Sequence, residues 1–176
     1  MSTVQRINFE PVSDILATQR RDFPLATPAL ADPLNALALV DGEWMKLNSS
    51  YQIERACSAA GAGNAAGQTS YVLFAERGRY DVRALSGTKM PIIMMGEFEA
   101  DTRIYDATAT VNGGATISAV GQPLKVASIT IGSRVYVGLV GHGADPTSDK
   151  DPIVGRVTRL PADNGGKLRF IRAHSL

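Results

Sequence analysis

From residue 37 onward, apolar side chains recur at every second position, and glycine or asparagine interrupts the pattern every few residues. Successive side chains of a strand point to opposite faces, so this period of two is the pattern of a half-buried strand; an amphipathic helix repeats every 3.6 residues. Residues 97–104 carry it most clearly. Phe98, Ala100 and Ile104 fall on one side, and Glu97, Glu99, Asp101 and Arg103 on the other. Asp41-Gly42 lies between the apolar runs 37–40 and 44–47, and Arg77-Gly78 between 71–75 and 80–84, each in the position of a hairpin turn. The runs 108–111 and 115–120 flank Asn112-Gly113-Gly114, 124–131 and 134–140 flank Gly132-Ser133, and 153–160 and 167–171 flank residues 161–166. Many short strands without regular βα alternation predict a mainly β fold, an antiparallel β-barrel or sandwich with at most one or two short helices. The one helical expectation is residues 51–60, where Ile53, Ala56, Cys57 and Ala60 share a helical face that could cover a barrel end.

The first 35 residues read differently. Pro11, Pro24, Pro28 and Pro33 recur there, and each lacks a backbone donor and pushes its predecessor toward extended conformation. Phe9, Ile15, Leu16, Phe23, Leu25 and Leu30 are nevertheless too apolar for an idle linker. The expected organisation is therefore an extended N-terminal arm over 1–35, laid on its own domain or on a neighbour, and a β-barrel or sandwich domain over 36–176. If the arm docks on a neighbour, a chain beginning at Leu34 should fold normally.

Bulk composition narrows the function classes. The chain has 176 residues, enough for one ordinary core, with 44% hydrophobic and 20% charged residues. No apolar run approaches the roughly 20 residues needed to span a bilayer, and residues 1–6 open no apolar stretch of signal-peptide type, so neither a membrane nor export is expected. Eighteen basic and 17 acidic residues give a net charge of +1, without the basic excess of a duplex binder, so no nucleic-acid partner is expected. The single cysteine, Cys57, cannot form an internal disulfide; its apolar small-residue surroundings suit a buried structural thiol.

Four features suggest chemistry and each has a simpler reading. The glycine-rich stretch 61–67 resembles a dinucleotide loop, but the expected strand follows it rather than precedes it. Residues 145–151 alternate oxygens as calcium loops do, yet Lys150 and Arg156 stand where the loop needs Gly and Glu. Glu97, Glu99 and Asp101 could bind a cation or act as an acid/base set, but they also fit the water-facing side of a strand. His142 and His174 are the two histidines available as general bases, and neither accompanies a nucleophile elbow or a zinc-ligand spacing. No catalytic residue, cofactor or metal site is assigned from these.

Three segments carry a family likeness: Gly121-Gln122-Pro123-Leu124-Lys125-Val126, then Ile153-Val154-Gly155-Arg156-Val157-Thr158, then Asn164-Gly165-Gly166-Lys167-Leu168-Arg169-Phe170. This entry strand, middle strand and closing strand resemble the small β-barrels of tailed-phage head decoration, or cement, proteins. The proline-broken arm is similar to the N-terminal extensions such proteins lay across the shell. The resemblance covers residues 120–172 best and does not extend to residues 41–47 or 61–67. It implies a non-enzymatic virion protein, assembled in the host cytoplasm and needing no cofactor. Its partner would be the major capsid protein of the shell, which it would stabilise against internal DNA pressure, as a homo-oligomer on the particle. The partner-binding residues it implies come from the arm: Phe9, Ile15, Leu16, Phe23 and Leu25. Other particle components (tail, adaptor or fibre-base proteins) share such glycine-bounded strands. A small ligand-binding or hydrolytic β-barrel using the acidic row and His142 is the alternative of a different class.

Overall fold

The computed structural model describes residues 9–13, 20–24, 26, 38–57, 69–73, 82–83, 89–93, 97–132, 134–144 and 151–172. In chain order its strands are β1 (Phe9–Pro11), β2 (Arg20–Pro24), β3 (Ala38–Leu39), β4 (Trp44–Leu47), β5 (Ile53–Arg55), β6 (Tyr71–Leu73) and β7 (Val82–Arg83). They continue with β8 (Lys89–Ile93), β9 (Phe98–Thr102), β10 (Pro123–Ile131), β11 (Arg134–Gly141), β12 (Gly155–Arg159) and β13 (Leu168–Arg172). The protein is mainly β, with two antiparallel sheets, one of them a half-barrel. Among the described residues the only helical turns are two 3-10 segments, Val111–Gly113 and Pro161–Asp163.

The first sheet has the order β1-β9-β13-β12-β10-β11, the second β2-β8-β6-β4-β5, and β3 pairs with β7 separately. Alternation decides what each sheet buries. Phe98 and Ala100 of β9, Leu168 and Phe170 of β13, Val157 of β12, Leu124 and Val126 of β10, and Val137 and Leu139 of β11 form one core with Trp44, Val72 and Ile93 of the second sheet. Phe9, Phe98 and Phe170 meet edge-on or tilted in this core, and Trp44 tilts against Phe170, with ring centroids of these pairs 6.0–6.5 Å apart. The β10–β11 hairpin is buried on both faces. Its other side presents Ala127, Ile129, Tyr136 and Val140 to Val40 and Ile104. Gly138 makes that cover possible, because a Cβ there would lie 2.5 Å from Ile104 O.

The β10–β11 and β12–β13 hairpins and strand β9 lie where the alternation places them. Elsewhere the structure departs from expectation. Residues 53–55 form β5 and not a helix, because Asn48 folds residues 48–52 into a tight loop that returns the chain along β4. Asp41-Gly42 is a turn, with Glu43 N–H donating to Val40 O at 3.2 Å, but it is a corner between sheets. Strand β3 leaves it to pair with β7, and β4 pairs with β5 and β6. For the Arg77-Gly78 hairpin, β6 and β7 do not pair with each other among the described residues, and residues 74–80 lie outside them. Residues 108–120 are not a hairpin. Asp106 Oδ1 captures the Thr108 and Ala109 N–H groups at 2.8 and 3.1 Å, and Asn112 takes a φ of 48°, which breaks strand geometry.

For the N-terminal segment, expected on its own domain or on a neighbour, the described parts lie on the chain's own sheets. Strand β1 adds to the edge of the first sheet beside β9, and β2 adds to the second beside β8. Ala26, fully buried, donates its N–H to Ile53 O at 2.9 Å, so the chain leaving one edge of the second sheet reaches the opposite edge at β5. The described parts of 1–35 are therefore sheet strands of the same body. Prolines permit this because Pro11 and Pro24 end short edge strands, where a missing donor costs no interior ladder bond.

Candidate functional site

The acidic row on β9 was expected to face water throughout, and the structure divides it. Glu97 is exposed and Glu99 half-buried, but Asp101 is buried. Register explains the difference. Strand β13 sets Arg169 directly opposite Asp101, and β1 sets Glu10 on its other side. Arg169 donates to both carboxylate oxygens, at 2.7 and 3.1 Å, and Asn164 adds a bond of 2.9 Å. The Arg169 bond holds the Asp101 carboxyl below the usual carboxylate range, against the opposing effect of burial. Glu99 accepts from the Thr158 hydroxyl at 2.7 Å, and Lys167 pairs with Glu10 at 2.6 Å. The row is thus part of a cross-strand polar lattice, with Asp101 and Glu99 committed to neighbouring strands.

His142, just past β11, belongs to a second polar cluster. Its ring nitrogens lie 2.6 Å from Gly143 O and 3.0 Å from Asp151 O. Lys125, near the start of β10 and wholly buried, pairs with Asp151 Oδ2 at 3.0 Å and donates to Asn112 O at 3.2 Å. A buried ammonium is tolerable only when paired and hydrogen-bonded, and this cluster supplies both conditions. The contacts tie the 3-10 turn Val111–Gly113, the end of β11 and the approach to β12 onto β10. Cys57 lies nearby. Burial, reinforced by Asp151 and opposed by Lys46, pushes its thiol up to about 12, so it stays protonated and is a poor nucleophile. No group of three or more His, Cys, Asp or Glu side chains among the described residues could hold a metal ion.

Further buried charges also escaped sequence reasoning. Glu43, fully buried after the Asp41-Gly42 turn, accepts from Arg55 Nε at 2.9 Å and from Val40 N–H at 3.1 Å. Burial raises its carboxyl above the usual range, and Arg55 opposes that shift. Arg172 of β13 donates to Ile93 O at 3.0 Å and Ser70 O at 3.3 Å and lies over the Phe98 ring, so it fastens the first sheet to the second; burial lowers its guanidinium to about 10. Alternation around β5 and β13 marks both arginines as inward-facing, but no local spacing announces their partners.

Of the residues implied as partner-binding, Phe9 is 8% exposed and packs in the core of its own chain. Gly42, with a φ of 90° and no Cβ, leaves room for the Phe9 side chain against the turn. Phe23 is half-buried on β2. Ile15, Leu16 and Leu25 lie outside the described residues, as do residues 61–67, 145–150 and His174. No described helix is long and apolar enough to cross a membrane. No protein-family profile matches the chain, and no curated protein or solved structure shows significant similarity to it.

Proposed function

We propose that this chain is a non-enzymatic structural protein of a phage particle that binds the assembled capsid shell and stabilises it, in the manner of a decoration protein. The observation that carries the reading is the arrangement of the three segments behind the family likeness. Residues 121–126 enter β10, 153–158 enter β12, and 164–170 enter β13, and these strands lie side by side in one sheet. The three segments are thus neighbours in one sheet, which is what supports the reading. The shell's major capsid protein is the proposed partner. The contact surface then lies in exposed parts of the fold rather than in Phe9.

The hydrolytic alternative needs free acid/base groups converging on an open site. Here Asp101 is engaged by Arg169, Glu99 by Thr158, and the His142 ring nitrogens lie beside the main-chain carbonyls of Gly143 and Asp151. The test uses particles produced from the same genome with this chain's coding sequence deleted. Purified chain should co-sediment with them saturably and raise the temperature at which they release DNA. Failure to sediment with intact particles would overturn the proposal.

A further inference from the structure

Lys125 stands where the alternation of β10 calls for an apolar residue. It shares a strand face with Ala127 and Ile129, and it is wholly buried. The fold makes room for it at Gly114, where a Cβ would lie 3.2 Å from Lys125 Cε and 2.6 Å from Gly141 O. The 3-10 turn before Gly114 is pinned over the amine. Gly114 N–H donates to Val111 O at 2.9 Å, and Ala115 N–H to Gly141 O at 3.1 Å. Asn112, in the middle of that turn, takes left-handed backbone (φ 48°, ψ 49°), which asparagine tolerates better than most residues. Its carbonyl oxygen accepts from Lys125 Nζ at 3.2 Å.

A single carboxylate oxygen links this amine to the asparagine side chain. Asp151 Oδ2 lies 3.0 Å from Lys125 Nζ and accepts from Asn112 Nδ2 at 3.4 Å. An ion pair alone needs only Lys125 and Asp151; the Asn112 carboxamide on the same oxygen is what points to a reaction. A buried amine, a carboxamide and a carboxylate between them are the nucleophile, the electrophile and the general acid–base of an acyl transfer from nitrogen to nitrogen. Holding all three in one site turns the encounter of amine and amide, slow in free solution, into a unimolecular step.

We infer that Lys125 and Asn112 become joined by an isopeptide bond, with Asp151 as general base and then general acid. Asp151 takes one proton from the Lys125 ammonium, and the freed amine attacks Asn112 Cγ once the exposed Asn112 side chain has turned toward it. The Nζ–Cγ bond forms and the Cγ–Nδ2 bond breaks. A second proton passes from Nζ to Nδ2, which leaves as ammonia. The ammonia then takes the first proton from Asp151 and departs as ammonium, so the carboxylate is regenerated and no further reactant is consumed. The product has an uncharged amide where a buried ammonium stood. It also ties β10 covalently to the turn 111–113, in a chain whose single cysteine cannot supply an internal disulfide. The cross-link is independent of what the chain binds.

Peptide mass spectrometry of the folded, purified chain, after denaturation and trypsin, is the test. Without the bond, trypsin cleaves after Arg103, Lys125 and Arg134. With it, cleavage after Lys125 should be lost. The peptide of residues 104–134 should be lighter than its sequence by one ammonia, with no fragment ions from breaks between residues 112 and 125. Full-mass peptides cleaved after Lys125 would overturn the inference. Loss of ammonia with Lys125 still cleaved would mark a succinimide at Asn112-Gly113 and overturn it equally. Loss of water with a link to Asp151 would overturn the assignment to Asn112. The wild-type peptide decides the bond whether or not a variant folds. Asp151→Asn should keep the full mass, and an Asp151→Asn chain that still forms the bond would overturn the acid–base role of Asp151.

Discussion

Replacing Phe9 by alanine asks whether the N-terminal segment belongs to the fold or to a neighbour. The ring is buried to 8% exposure and meets Phe98 edge-on at 6.0 Å and Phe170 at 6.5 Å. Truncating a buried Phe to Ala costs about 3–5 kcal/mol, combining lost transfer energy with the cavity left behind. Strand β1 is a three-residue edge strand that can settle partly into the gap, so the low end, about 3 kcal/mol, applies here. For a chain of this size each kcal/mol moves the melting temperature by about 2–4 °C, giving an expected fall of about 6–12 °C. Thermal unfolding followed by circular dichroism, with a urea titration at constant m-value as the check, measures it. A fall of less than about 2 °C, near what a surface substitution gives, would refute the packing argument and restore Phe9 as a docking residue.

Other consequences concern buried charges and the thiol. Because the Asp101 carboxyl sits below its usual range, its pairing with Arg169 stabilises the fold above the unfolded value of about 3.9 and is lost as pH falls through the lower folded value; Asp101→Asn should flatten the acid limb of stability against pH below about 4, and an unchanged limb would contradict this. Glu43→Leu alone should cost about 3–5 kcal/mol in urea unfolding by leaving Arg55 buried without its carboxylate, whereas Glu43→Leu with Arg55→Leu should cost less than the single change. Cys57, with its thiol pushed up to about 12, should resist a thiol-specific disulfide reagent at pH 8 until denaturant is added; prompt labelling of the native chain would show the thiol to be accessible.

Which strands exist was largely legible from local pattern, and which strands pair was not. The β10–β11 and β12–β13 hairpins join neighbours in sequence across turns of glycine or of proline and asparagine, so alternation and turn chemistry sufficed. Strand β3 pairs with β7 and β1 with β9, contacts that no local spacing encodes. The β4–β5 loop hid because its left-handed position carries Tyr51 instead of glycine, while Ile53, Ala56 and Cys57 happened to fall at helical spacing. Proline in the first 35 residues argues against a regular helix or a central strand, and the two strands described there, β1 and β2, are edge strands; which sheets they join is what no local pattern encodes. The acidic row was legible as a strand face. That Asp101 leaves the solvent depended on β13 arriving alongside with Arg169 in register.

The central proposal is that this chain is a component of an assembled phage particle. Quantitative mass spectrometry of gradient-purified particles, scaled to the major capsid protein, tests it most directly. The account predicts the chain in the particle at a fixed ratio to the capsid subunit, removed together with empty shells and not with detached tails. Its absence from purified particles, or its presence only at trace and variable amounts, would contradict the account.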